Sequence, residues 1–451
     1  MPECQTLVHA GVLVTQDAER RILAPGGLAI ANGVILDVGP ADEVAARWQP
    51  RERLDLGTML VLPGLVNAHS HAAMTFLRGL ADDMPLMEWL TGRIFPVEAR
   101  LTADIVRTGS LLGFAEMLRT GTTACMDMYL FEGAVLEAAE EAGLRCTGGE
   151  AVFGFPSAAC PDAATALAAT RALAERYAGH ERISVAVNCH SVYTTTPEIM
   201  AACRDLALEL DLPFHMHLSE TRDETARSLA EHGRRPVEYC QSLGVLEARC
   251  TFAHVVDVTE PELDLLAAAG AAVVHNPSSN MKLASGAAPV AAMLGRGMTV
   301  ALGTDGPASN NQCNLFQEMG RAALLHKLVS GDPATVPATA VLDMATLGGA
   351  TALRAPRQGQ PGLGALAPGM AADLIALDLA EPNLQPMYAP VSHLVYAATG
   401  HEVRLAMVAG EVLYRDGRFS RFDYDALRRE VRSLRDFVLG NAGLDAVGGL
   451  A

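Results

Sequence analysis

The sequence contains no block of basic residues. Lys and Arg together number 34 against 52 Asp and Glu, a net charge of -18 over 451 residues. Nucleic acid and anionic membrane surfaces both need clustered positive charge, so neither is expected as a partner. The start, "MPECQTLVHAG", lacks a basic stretch followed by an apolar one, and no signal peptide is expected. No uninterrupted apolar run is long enough to span a bilayer; "LLAAAGAAVV" is short and built mostly of small residues. The nine cysteines include no C-x-x-C pair. In a chain of this size they read as reduced, mostly buried thiols of a cytoplasmic protein. Low-complexity linkers and short tandem repeats are also missing.

What is present is a large apolar fraction, 50% of residues. That is enough for a sizeable core, arranged as several domains or as one large barrel with an appendage. Through the middle of the chain, short β-branched runs alternate with amphipathic Ala/Leu/Glu-rich stretches such as "EGAVLEAAEEAG". This is the rhythm of βα units around a parallel sheet. Strands are expected near 60–68, 122–129, 145–152, 183–190, 213–220, 250–255, 271–277 and 299–306. Eight is the number a (β/α)8 TIM-type barrel needs. The ends differ: 3–60 and 364–415 hold short alternating segments with Gly turns, which predict antiparallel strands sharing one sheet or sandwich. The expected organisation is a small β-sandwich from 1–60 with 364–420, a barrel over 61–363, and a C-terminal amphipathic helix and tail over 421–451.

In such a barrel, chemistry sits at the C-terminal strand ends. His69 and His71 follow the first expected strand, His190 ends the fourth, His217 and Glu220 the fifth, His254 the sixth and Asp305 the eighth. Residues i and i+2 on extended chain point the same way, so His69 and His71 can serve one ion. His217 and Asp305 complete a three-nitrogen, one-oxygen shell suited to zinc, with iron(II) or another divalent ion also compatible. An isolated H-x-H is a weak signal; four ligands in strand-end order are a strong one.

The stretches "LPGLVNAHSHAAMTFLRGLADDMPLMEWL", "PVEARLT", "HMHLSET", "AHVV", "HNPSSNMKLASG" and "LGTDGPASNNQCNLFQEM" resemble the amidohydrolase superfamily. Within it they resemble the 5′-methylthioadenosine/S-adenosylhomocysteine deaminases and related chlorohydrolases. The resemblance covers nearly the whole chain and implies His69, His71, His217 and Asp305 as metal ligands. It implies Glu220 as general acid/base, His254 as the histidine that holds the attacking water, Glu98 as the ribose-binding glutamate, and His190 as a substrate contact. The implied reaction is hydrolytic deamination of a 5′-substituted adenosine to its inosine-type product. It would use one divalent ion, zinc first, with a nucleoside as partner; a homo-oligomer stays open.

The chemistry fits on its own terms. A metal can activate water near neutral pH, Asp305 can accept its proton, and Glu220 can protonate the ring nitrogen and then the leaving amine. His215, also in the "HMH" motif, reads as a supporting or core residue. His275 reads as a pocket or backbone-bonded residue, and Asn276, Asn280 and Lys282 as loop-shaping groups. Met84, Met87 and Trp89 offer an apolar wall for a thioether or ordinary packing. No Lys lies near His190 to bridge a second metal. No Arg follows the third strand, where Glu150 stands and Arg145 and Arg171 only flank the region. A homocysteine carboxylate is therefore left without its expected partner. Adenosine, a futalosine-type nucleoside, guanine, a pterin or a triazine are the rival substrates, and a non-catalytic metal barrel is the rival class.

Overall fold

The computed structural model describes residues 1–354 and 360–441. Eight strand positions form a parallel barrel in chain order: Leu65–Ser70, Thr122–Tyr129, Arg145–Val152, a split fourth strand Ile183–Val185 and Val187–Ser191, Phe214–Leu218, Cys250–His254, Ala272–His275 and Thr299–Leu302. A parallel bridge from Ser70 to Asp305 brings the first strand beside the chain leaving the last. There the Asp305 N–H donates to the His69 carbonyl at 3.0 Å. Two expected metal ligands thus stand where the barrel closes.

The first strand differs from its expected span. "MLVLPGLVN" belongs to two sheets: the strand Gln49–Pro63 ends in the outer sheet and the barrel strand begins at Leu65. Pro63 has no N–H to continue a ladder. Gly64 lies so close to the second strand that a Cβ there would sit 2.0 Å from Thr123 Oγ1. An apolar run shared by two sheets carries no periodicity that would reveal the break.

Period-two alternation sets the strand faces. In "FHMHL", Phe214, Met216 and Leu218 join the main apolar core, while His215 and His217 take the opposite face. Helices between strands supply the outer layer, for example Glu132–Ala142 and Ala163–Arg176. The helix Tyr424–Asn441 buries Leu427, Leu434 and Val438 and lies against the helix Ala103–Arg119; the expected tail beyond 441 lies outside the described residues.

Both chain ends enter one nine-stranded sheet, joined where Leu374–Asp378 pairs antiparallel with the end of Gln49–Pro63. Val8, Leu28, Ile35 and Leu56 from the N-terminal part cluster with Leu374, Leu405 and Met407 from the C-terminal part. The sheet therefore encloses an apolar core of its own beside the barrel. Among the described residues no helix is long and apolar enough to cross a membrane.

Candidate metal centre and substrate cavity

The barrel strands end in unusual backbone. Ser219, His254, Val255 and Asp305 all have positive φ, at 52°, 73°, 47° and 60°. For residues with a Cβ this region costs about 1–3 kcal/mol each and concentrates at functional sites. These turns swing side chains from the fifth, sixth and eighth strand ends toward one point. Gly303 permits the closest approach: a Cβ there would meet Asn276 Oδ1 at 2.4 Å and His69 Cβ at 2.9 Å.

At that point Asp305 Oδ1 lies 3.3 Å from His69 Nε2 and 3.1 Å from His71 Nε2, and His217 Nε2 lies 3.3 Å from His71 Nε2. Neighbouring groups fix each imidazole. His71 Nδ1 donates to the Met128 carbonyl, and His217 Nδ1 donates to the His190 carbonyl at 2.8 Å. His215 Nδ1 donates to the Thr251 carbonyl at 2.9 Å, so its Nε2 must accept from His69 Nδ1 at 2.8 Å. Carbonyls only accept, so in neutral rings the Nε2 lone pairs of His69, His71 and His217 all face inward. His254 Nδ1 donates to Asn280 Oδ1 at 2.8 Å, which turns its Nε2 inward too. Ser279 and Ser309 donate to Asp305 Oδ2 at 2.6 and 2.9 Å and leave Oδ1 to the cluster.

Converging lone pairs and a carboxylate demand positive charge between them. Buried His69 Nε2 has no hydrogen-bond partner, the state of a ligand atom rather than of a core histidine. Burial drives His69 down to about 4, against the pull of Asp305, and holds His217 well below its usual value. At His71 burial again opposes the charge, but the Asp305 bond and charge prevail and raise it to about 9. Asp305 is itself buried, yet the surrounding His69, His71 and His254 hold its carboxyl well below the usual carboxylate range. The donor set therefore fits a divalent cation held by three His and one Asp.

The third histidine can be chosen in two ways. His69, His217, His254 and Asp305 offer ligand atoms all within 4.8 Å of one another. The expected set holds His71 instead of His254. His69 and His217 stand between the two: their ring centroids lie 4.8 and 5.3 Å from His71, and both 5.6 Å from His254. His71 Nε2 lies 3.1 Å from Asp305 Oδ1 and 3.3 Å from His217 Nε2, and His71 and His254 both line the cavity above the cluster.

A cavity opens over the cluster. Glu98, His190, Glu220 and His254 all line it, with an apolar wall from Met74, Leu86, Trp89, Phe95, Phe153 and Leu283. Burial raises the Glu220 carboxyl, partly offset by His254. Its backbone is held from below: Glu224 accepts from the Ser219 and Glu220 N–H groups at 3.0 and 2.7 Å, while Thr221 caps the next helix at the Glu224 N–H. Glu98, half-buried at the end of a short helix Phe95–Glu98, is also raised by burial, with the Tyr129 hydroxyl and His71 working against it. His190 bonds Thr194 Oγ1 at 2.9 Å and packs 4.5 Å from the Phe153 ring.

Several other candidates stand elsewhere. Glu150 accepts from the Phe131 and Glu132 N–H groups at 3.0 and 2.9 Å and does not line the cavity. Arg145 pairs with Asp373 and Arg171 with Glu209, so neither reaches it. His275 is buried against His326, with 3.1 Å between their Nε2 atoms. Trp89 lines the cavity, but Met84 and Met87 line a separate outer hollow. Sequence reasoning also missed supporting groups. Asp127 accepts from Ser70 Oγ and the Ala72 N–H at 2.8 and 2.7 Å and so braces the loop carrying His71. Asn280, read as loop-shaping, orients His254. Ordinary residue types at ordinary spacings gave no signal for either.

The amidohydrolase family profile matches residues 60–413. A 5-methylthioadenosine/S-adenosylhomocysteine deaminase of Desulfovibrio desulfuricans is 66% identical over 444 residues, 98% of this chain and 100% of that protein. A protein of the same name from Syntrophobacter fumaroxidans is 48% identical, covering 94% of this chain and 96% of its own. Among solved structures, a zinc-bound adenosine deaminase of Xanthomonas campestris superposes with a TM-score of 0.94 at 36% identity, over 97% of this chain and 99% of that one. A zinc-complexed atrazine chlorohydrolase of Arthrobacter aurescens, at 24% identity and TM-score 0.87 over 96% of this chain and 100% of that one, shares the fold.

Proposed function

This chain belongs to the amidohydrolase family, and we propose that it is a hydrolase that deaminates 5′-methylthioadenosine and S-adenosylhomocysteine. The observation that carries this reading is that Glu98 and Glu220 share one cavity with the His/Asp cluster. The relatives' names supply the substrate pair. A ribose-bearing substrate uses both carboxylates, whereas a free base has no use for Glu98.

His69, His71, His217 and Asp305 would hold one divalent ion, with zinc the choice supported by the donor set and by the zinc-bound relative. Bound there, the ion would supply Lewis-acid activation of water at neutral pH. The neighbouring histidines keep Asp305 a carboxylate, and two serine hydroxyls occupy its Oδ2. Its Oδ1 remains able to accept a proton at the cluster. Glu220, made a weaker acid by burial, gives its proton to the ring nitrogen beside the attacked carbon, regains one from the new hydroxyl as the carbonyl forms and passes it to the departing amine, and the proton taken by Asp305 then restores it. His254, with Nδ1 held by Asn280, presents Nε2 to the cavity and orients the incoming nucleophile. Trp89, Phe95 and Phe153 exclude bulk water and face the apolar parts of the nucleoside.

Ammonia release by the zinc-loaded protein on methylthioadenosine, S-adenosylhomocysteine, adenosine, guanine and cytosine tests the reading. The 5′-thio nucleosides are expected to be fastest; faster turnover of guanine or cytosine would overturn it.

A further inference from the structure

The sequence after the third strand offers no cation for the carboxylate of a homocysteine chain, and among the described residues no Lys or Arg lines the cavity over the His/Asp cluster. An outer hollow supplies one from a different strand. It shares Leu86 and Leu283 with the inner cavity and is lined further by Asp83, Arg222 and Asp223. Arg222 follows Glu220 by two residues, so its Cα lies within about 7 Å of that of Glu220 by chain length alone. The chain thus passes from inner cavity to outer hollow between Glu220 and Arg222.

Arg222 is exposed, and among the described residues it makes no hydrogen bond or ion pair. The other cation in the hollow, Lys282, is already committed to Asp82, the Ala308 carbonyl and Asn311 Oδ1. A free guanidinium in a hollow also lined by Asp83 and Asp223 presents both signs of charge. An α-amino acid carries the matching pair, a carboxylate and an ammonium, on one carbon. The forked donors of Arg suit the carboxylate, and either Asp suits the ammonium. Leu86 and Leu283, which line both the inner cavity and the outer hollow, suit the thioether and methylene atoms between nucleoside and amino acid.

We propose that Arg222 is the specificity residue that anchors the carboxylate of a thioether-linked α-amino acid, with Asp83 and Asp223 receiving its ammonium. The inference rests on the deaminase reading and deepens it. It makes S-adenosylhomocysteine a substrate recognised at both ends, while methylthioadenosine leaves the outer hollow unused.

The test uses the full-length, zinc-loaded enzyme, with Arg222→Ala and Arg222→Glu. Steady-state kinetics are measured on S-adenosylhomocysteine, on methylthioadenosine, and on the decarboxylated analogue that ends in a primary amine. The kcat/KM ratio of S-adenosylhomocysteine to methylthioadenosine is expected to fall about tenfold in Arg222→Ala, the effect of losing a charge-assisted bond, and further in Arg222→Glu. The change should sit in KM rather than kcat. Added salt should raise the wild-type KM for S-adenosylhomocysteine and leave that of Arg222→Ala nearly flat. A ratio unchanged in both variants, or the same loss on the decarboxylated analogue, overturns the inference. Wild-type turnover of methylthioadenosine without S-adenosylhomocysteine overturns it and spares the deaminase reading. Turnover of neither removes both.

Discussion

His69 Nδ1 lies 2.8 Å from His215 Nε2, and the proton between the rings belongs to His69, because His215 Nδ1 is committed to the Thr251 carbonyl. His215 thereby sets which nitrogen of His69 faces the His/Asp cluster. Outer partners of this kind usually contribute about 10–100-fold in metal affinity. His215→Phe keeps the bulk and removes the acceptor. Its zinc affinity, read by chelator competition, is expected to fall by that amount while circular dichroism stays native. Unchanged affinity would show that the His69 orientation is fixed by packing alone.

Which histidine completes the shell is decided by a paired substitution. His71→Ala should abolish stoichiometric zinc, because its Nε2 contacts both Asp305 Oδ1 at 3.1 Å and His217 Nε2 at 3.3 Å. His254→Ala should keep one zinc per chain and lose turnover. Elemental analysis of the two purified variants separates the cases. The reverse pattern would assign the shell to His69, His217, His254 and Asp305, the four whose ligand atoms lie within 4.8 Å of one another.

Glu220→Gln is isosteric but cannot shuttle a proton. Full metal content with kcat reduced by about 10²–10⁴-fold is expected. Burial raises the Glu220 pKa above that of a solvated glutamate, so its protonated form persists to higher pH. Activity requires that form and should decline as pH rises through the raised pKa. In Glu220→Gln the alkaline limb assigned to this group should disappear. A residual profile of wild-type shape would place the limb on another residue.

The legible part of this molecule is what periodicity and strand-end chemistry encode. The alternation of apolar runs with amphipathic stretches marks all eight barrel strands, and five of them, the first, fourth, fifth, sixth and eighth, lead into the His, Glu and Asp residues among which His69, His71, His217, His254 and Asp305 converge. The illegible part depends on contacts distant in sequence. Pro63 and Gly64 divide one apolar run between two sheets, and only the Thr123 side chain, 59 residues on, shows why. Glu150 has the composition of a pocket residue but spends both oxygens on the N–H groups of Phe131 and Glu132. Asn280 looks like turn chemistry until His254 is folded against it. Arg222 could be read as another solvated helix residue, because a hollow formed by three separate loops has no linear signature.

Glu98 carries the heaviest burden in the substrate assignment, since its neighbours in "PVEARLT" resemble an ordinary helix start. Its carboxyl lines the cavity with Glu220, and burial raises its pKa. A half-buried acid of this kind is stabilised in its charged form when hydroxyl donors arrive, and the 2′ and 3′ hydroxyls of a ribose are two such donors on adjacent carbons. Losing hydrogen bonds to a charged group costs about 1.5–3 kcal/mol. Glu98→Ala is therefore expected to lower kcat/KM for methylthioadenosine by about 10–100-fold. The 2′,3′-dideoxy analogue, which cannot make the contact, should be a poor substrate of the wild type and be affected little by the change. Kinetics of both enzymes on both nucleosides complete a double-mutant cycle in which the coupling, not the absolute loss, is the readout. Equal losses on the ribosyl and dideoxy substrates would make Glu98 a support for Tyr129 and the cavity wall. The ribose would then need another partner.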